Sequence, residues 1–158
     1  MAKDFLAQVG DPTATGTGGE CILSYIDAQS SHPEGVPRYF APNMVPRLKH
    51  TTKGTVSMAV APALEGQKGG CGSQFFITLA DNVDYLDGKH AVFGHVVEGL
   101  EVLDQINEAF VDENGRPLKD IRIRHVVVLG KSALAFANGL LPNTDCPSQT
   151  IPTQILRD

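Results

Sequence analysis

Gln74, Phe76 and Thr78 sit two apart in the run Gly72-Ser73-Gln74-Phe75-Phe76-Ile77-Thr78. Alternate side chains share a face in a strand. An amide, an aromatic ring and a hydroxyl therefore stand together, and Phe75, Ile77 and Leu79 take the other face. Such a trio on an open face can hold an apolar ring and hydrogen-bond the polar backbone beside it. Taken alone, the strand reads better as a core element with Phe76 packed under a loop, since periodic apolar residues are usually core. Gln8 repeats the pairing of an amide with an apolar neighbour, because an extended segment puts it on one side with Leu6. The two segments make complementary walls if the fold brings them together. The competing reading of Gln8 is a solvent-facing amide on an edge strand.

Other chemistries find less support. The histidines are His32, His50, His90, His95 and His125, and no two stand four apart as a helical metal site requires. His90 follows the tight turn Leu86-Asp87-Gly88-Lys89, which would hold it at a strand entrance; a turn residue capping the strand explains it equally well. Ser73 lies in no nucleophile elbow and has no base nearby. Thr15-Gly16-Thr17-Gly18-Gly19 is not a dinucleotide fingerprint, and Glu20 follows where an anion would sit. Lys68 belongs to no Gly-Lys-Ser/Thr sequence. Cys21, Cys71 and Cys146 are odd in number and form no Cys-x-x-Cys pair. Neither a zinc site nor a disulfide framework is expected, and a reducing compartment, nucleus or cytoplasm, is the natural setting. No cofactor and no metal are expected.

Short strands separated by glycine turns must position these residues. Residues 4–10 read as a strand ending in the turn Gly10-Asp11-Pro12, and 12–20 as a loop. Prolines 33, 37, 42 and 46 break regular structure over 28–46. Gly54–Val60 and Ala91–Val97 read as strands, Pro62–Gly72 as a flexible loop and Asp81–Gly88 as a pair of turns. Leu100, Leu103, Ile106 and Phe110 recur at helical spacing after Gly99, which predicts an amphipathic helix of about three turns. Glu113-Asn114-Gly115 is a turn, and Ile121–Arg124 alternates into Val126–Leu129 as a strand entering a core. Ala133–Leu141 is an apolar patch, and Pro142–Ile155 lacks periodicity. The organisation is thus one domain over 1–130 and an extension or linker over 131–158. Pattern alone predicts a mainly β class, a barrel or sandwich with a helix attached.

Composition narrows the partners. The 158 residues carry a net charge of −5 with Lys and Arg unclustered, which argues against direct nucleic-acid binding. No run approaches the ~18 apolar residues of a membrane span. Met1–Leu6 has no apolar signal-peptide core, so a secreted protein is not expected.

Five motifs occur together in one order: Phe5-Leu6-Ala7-Gln8-Val9-Gly10-Asp11, Gly16-Thr17-Gly18-Gly19-Glu20, Gly54-Thr55-Val56-Ser57-Met58-Ala59, Gly72–Thr78 and Leu86–Gly94. In these motifs the chain resembles the cyclophilin-type peptidyl-prolyl cis-trans isomerases from about Asp4 to Leu129. Val45–His50 and Ile106–Asp112 look closest to a nuclear branch whose longer members carry an RNA-recognition domain. The resemblance implies an eight-stranded antiparallel barrel closed by two helices, with Leu100–Phe110 as the second. It implies a groove for X-Pro peptides, in which Phe5, Gln8 and Phe76 are catalytic. Phe5, Leu6, Phe76 and Leu86 would line the proline pocket, with His90 at its edge. Gln8 would bond the substrate backbone, and Ala59, Val60 and Ala61 would flank the residue before proline, beside Gln74. Gly16 and Thr17 would rim a neighbouring pocket. The partners implied are proline-containing peptides or proteins, within a possible nuclear protein complex.

Departures from the family pattern matter too. The family's catalytic arginine lies about five residues before the Phe5 position, which falls ahead of Met1. The first two strands and first helix of the barrel are also lacking. Loss of one positioned transition-state donor costs about 2.7–4 kcal/mol. A catalytically weak proline-peptide binding module, a scaffold in a spliceosome-type assembly, therefore stands beside the isomerase as an alternative. Tyr85 and Val60 occupy positions where many members have Trp and Asn.

Overall fold

Residues 2–22, 38–63 and 69–127 are described by a computed structural model of the chain. Four strands form one antiparallel sheet: β1 (Leu6–Val9), β2 (Thr55–Ala61), β3 (Gly70–Thr78) and β4 (Val92–His95). Their order is β1-β3-β2-β4, so β3 and β2 are central and β1 and β4 form the two ends. Among the described residues there are thus four strands and no closed barrel, in contrast to the eight implied by resemblance. β3 begins at Gly70, inside the stretch read as loop. A 3-10 turn at Asp84–Leu86 leads into β4.

The alternation in β1 and β3 explains the two faces. Gln8 stands opposite Phe76 and Leu6 opposite Thr78, whereas Ala7 stands opposite Ile77. Opposed residues in antiparallel strands share a face. On one face Ala7, Leu79 and Leu103 form a buried cluster with Ile77, Val96 and Ile106 packed against it. On the other, Phe76, Val83 and Leu86 form a second cluster with Phe5, Leu6, Ala59 and Ala80 around it.

An α-helix, α1, spans Leu100–Glu108. Leu103 and Ile106 supply its apolar face. The helix stops at Ala109, which is extended, so Phe110 lies beyond it and is 84% exposed. Nine residues make about two and a half turns, so the helix falls about half a turn short of the three expected. Asn107 fixes α1 to the chain entering β1: its Oδ1 accepts from the Asp4 N–H at 2.8 Å and its Nδ2 donates to Asp4 Oδ1 at 2.7 Å. This pair also holds the segment that carries Phe5.

The first compact unit ends at Asp120. Beyond it, Ile121–Val127 form no strand, and Ile121, Ile123, Val126 and Val127 are exposed. The alternation there is expected to enter a core, but Ile121–Val127 join no ladder among the described residues, and pairing is what stabilises a strand. Readings placed on residues 23–37, 64–68 and 128–158 lie outside the described residues.

Candidate functional site

Three elements build the site on the face opposite α1. β3 contributes Gln74 and Phe76, β1 contributes Leu6 and Gln8, and the turn before β4 contributes Leu86 and His90. A bulge gives Gln74 its freedom. Met58 pairs with Phe75 and Val60 with Cys71, so Ala59 alone opposes the three residues 72–74. Extra residues on one strand break the ladder locally and re-aim side chains.

Gln74 uses that freedom to bridge β1 and the 11–18 loop. Its Nε2 donates to the carbonyls of Gly16 at 3.1 Å and Gly18 at 2.8 Å. Its Oε1 accepts from Gln8 Nε2 at 2.6 Å. The orientation of each amide follows from its partners. Carbonyl oxygens only accept, so the Gln74 nitrogen must face the loop and its oxygen must face Gln8.

Phe76 is 2% exposed, so it is the floor of the site rather than a side chain on an open face. Thr78 is likewise fully buried; its Oγ1 donates to the Thr52 carbonyl at 3.0 Å and accepts from the Thr55 N–H at 3.0 Å. The open trio expected of β3 is therefore reduced to Gln74, because Thr52, Thr55 and the surrounding apolar side chains cover the rest. The His90 ring meets Phe76 edge-on at 5.1 Å, and its Nδ1 lies 3.1 Å from the Met58 carbonyl. Phe5 packs against the same cluster and against Tyr85, with ring centroids 5.4 Å apart.

Phe5, Leu6, Gln8, Gly16, Ala59, Gln74, Phe76, Leu86 and His90 thus come together through direct contacts. Thr17 belongs to the loop but reaches the amide pair only through Gly16 and Gly18. Val60 and Ala61 pair with Cys71 and Gly70 towards the end of β2, away from the Phe76 cluster.

Sequence reasoning missed two groups. One is the buried string Asp87–His50–Ser57. Asp87 Oδ1 lies 2.7 Å from His50 Nδ1, and His50 Nε2 lies 2.7 Å from Ser57 Oγ. His50 and Ser57 are fully buried, and the His50 ring stacks beside Phe76 at 6.1 Å. A carboxylate only accepts, so Nδ1 carries the proton. Burial pushes the Asp87 carboxyl up, but the His50 ring and N–H and the Lys49 ammonium outweigh it and hold it below the usual range. Nothing in the sequence sets His50 apart from the other histidines.

The other missed residue is Asp11. Its Oδ1 accepts from the Thr13 N–H at 2.8 Å and the Thr13 hydroxyl at 2.7 Å. Its Oδ2 accepts from the Gly16 N–H at 2.6 Å and the Gly18 N–H at 3.2 Å. Desolvation acts to raise its carboxyl, and these hydrogen bonds together bring it down to about 2. An Asp opening a Gly- and Thr-rich loop is a signal for such a turn and was available in the sequence. No group of three metal-ligating side chains occurs among the described residues, and no helix there is long and apolar enough to cross a membrane.

Comparison with known proteins identifies the family. The family described as cyclophilin type peptidyl-prolyl cis-trans isomerase/CLD matches residues 1–128. Peptidyl-prolyl cis-trans isomerase-like 4 of Cryptococcus neoformans is 65% identical over 129 residues, covering 82% of this chain and 25% of that protein. The Homo sapiens protein of the same name is 46% identical over 129 residues, 82% of this chain and 24% of its own length. The chain thus spans about a quarter of these curated relatives. A crystal structure of a Cryptosporidium parvum cyclophilin type peptidyl-prolyl cis-trans isomerase, in the presence of the dipeptide Ala-Pro, is 35% identical. It superposes with a TM-score of 0.59 over 74% of this chain and 63% of that one. The mainly β sheet with its helix is therefore a cyclophilin-like fold, and the chain belongs to the cyclophilin-type peptidyl-prolyl cis-trans isomerase family.

Proposed function

We propose that this chain binds peptides around an X-Pro bond and speeds their cis-trans isomerisation. One observation carries the reading: the Gln8–Gln74 amide pair lies beside an apolar cluster floored by Phe76 and rimmed by Phe5, Leu6 and Ala59. A proline ring matches the apolar part, and the peptide backbone next to it matches the amides. Rotation about X-Pro crosses a barrier of ~18–20 kcal/mol because the planar amide loses resonance. No covalent step is needed if the site holds the ring still and bonds the twisted amide better than the planar one. Within this reading Phe5, Gln8 and Phe76 are the central residues, Leu6, Gly16, Thr17, Ala59, Gln74, Leu86 and His90 line the groove around the ring, and Val60 and Ala61, farther along β2, flank the residue before proline.

Exchange spectroscopy on a proline tetrapeptide tests it. Saturable binding, with exchange faster than the uncatalysed tens to hundreds of seconds, is expected. Absence of binding at millimolar peptide overturns the proposal.

A nuclear or cytoplasmic setting and membership of a nuclear protein complex belong to the same proposal. They rest on the resemblance of Val45–His50 and Ile106–Asp112 to a nuclear branch. Imaging of the tagged full-length protein tests them, and a secreted protein would overturn them.

A further inference from the structure

We propose that Asp11 is the positioning residue of this groove, holding the 13–18 loop in the shape that orients the Gln74 and Gln8 amides toward a bound peptide. The inference rests on the peptide-binding reading above and deepens it.

Asp11 is the hub of the loop. Its two carboxylate oxygens collect two N–H groups, those of Gly16 and Gly18, on one side and both donors of Thr13 on the other. A carboxylate accepts only, which sets the direction of the hydroxyls around it. Thr13 Oγ1 donates to Asp11 and so must accept from Thr15 Oγ1, 2.8 Å away. Thr15 Oγ1 in turn lies 3.0 Å from Thr17 Oγ1 and accepts from the Thr17 N–H at 3.3 Å. A chain of hydroxyls pointing one way strengthens each of its bonds.

The loop wraps the carboxylate closely. A Cβ on Gly18 would fall 2.1 Å from Asp11 Oδ1 and 2.3 Å from Thr13 Oγ1. From outside, Arg116 Nη1 donates to the Ala14 carbonyl at 3.1 Å, and Arg38 Nη2 donates to the Thr17 carbonyl at 3.0 Å.

The consequence for the groove lies in the carbonyls. With their N–H groups turned onto Asp11, Gly16 and Gly18 present their C=O groups to Gln74 Nε2. That contact turns Gln74 Oε1 to Gln8 Nε2. One N–H of Gln8 is thereby used, and the exposed residue keeps an Oε1 and a second N–H to match a peptide backbone, which offers one donor and one acceptor per residue. Released from Asp11, the two carbonyls lose their fixed direction and both amides are free to flip.

The experiment compares Asp11→Ala, Asp11→Asn and Thr13→Val with the parent chain. The readouts are the side-chain amide resonances of Gln8 and Gln74 and the Kd of a proline tetrapeptide. Backbone resonances of β2 and β3 report whether each variant is folded. Asp11→Ala is expected to collapse the Gln8 and Gln74 signals toward free-amide positions and to weaken binding about fivefold, the loss of roughly one hydrogen bond. Asp11→Asn, which can serve Thr13 but cannot accept at its NH₂ end, should fall between. If Asp11→Ala does not fold, Asp11→Asn and Thr13→Val decide. Unchanged amide signals and affinity in a folded variant overturn the proposal. Should the parent chain bind no peptide, the functional reading fails, and the amide resonances alone still judge Asp11.

Discussion

Gln8 Nε2 donates to Gln74 Oε1 across the boundary between β1 and β3, at 2.6 Å. The bond joins two residues 66 apart in sequence. Neither amide is therefore an independent contact, and each sets the orientation of the other.

A double-mutant cycle should expose this coupling. Gln8→Ala and Gln74→Ala are each expected to weaken tetrapeptide binding, and the double variant should be no worse than the stronger single variant. The coupling energy is expected near 1 kcal/mol, as for one hydrogen bond between residues in contact. Strict additivity of the two losses would contradict a shared orientation.

The 11–18 loop should loosen in acid. Desolvation acts to raise the Asp11 carboxyl, but its bonds to Thr13, Gly16 and Gly18 prevail and lower it from the ordinary 3.8 to about 2. A lowered folded-state value means that the contribution is fully present above about pH 4. It is lost progressively as pH falls through about 2. Protection of the Gly16 and Gly18 N–H groups, measured relative to their intrinsic exchange rates at each pH, should fall over that window. Protection at these two amides that is unchanged from pH 5 to pH 2 would contradict the assignment.

The parts of this site that were legible in the sequence are those governed by period two. Leu6 with Gln8, and Gln74 with Phe76, share one sheet face because alternation puts them there. The buried state of Phe76 was the reading that the strand taken alone favoured, and the structure places the ring in the core, packed against Phe5 and Leu6. The closing helix was legible to Ile106. Phe110 kept the spacing without the helix, because Ala109 turns extended and hydrophobic period says nothing about where hydrogen bonding stops. His50 was not legible at all. Its role depends on Asp87 and Ser57 arriving from two other segments, which no local pattern encodes.

Gly10 should tolerate no side chain. It sits at the end of β1 with φ +89°, and an added Cβ would fall 2.3 Å from the Ser73 carbonyl oxygen. The obstacle is backbone, held close because Ser73 Oγ donates to the Gly10 carbonyl at 2.7 Å. Left-handed backbone alone costs about 1–2 kcal/mol for an L-residue, and the clash adds to it. Gly10→Ala is therefore expected to destabilise the fold by more than about 2 kcal/mol in urea unfolding. A loss below 0.5 kcal/mol, the range of about ±0.5 typical of surface substitutions, would show that the Gly10–Ser73 approach is relaxed in solution.

His50 offers a test of what supports the groove from beneath. Its ring is fully buried, bonded at Nδ1 to Asp87 and at Nε2 to Ser57, and stacked beside Phe76, whose edge meets His90. Truncating it to Ala removes a buried ring, leaves a cavity and strips the partner from the fully buried Ser57 hydroxyl. An orphaned buried polar group costs about 1–3 kcal/mol, and the cavity adds to that. His50→Ala should thus lower stability by about 3 kcal/mol, seen as a fall in the urea midpoint at constant slope. Ser57→Ala should cost less, because it removes the smaller partner, although it leaves His50 Nε2 unpaired. The two losses should not add, since both variants break the same bond. Full additivity would mean that Ser57 and His50 are held independently, and the floor under Phe76 would then owe its rigidity to apolar packing alone.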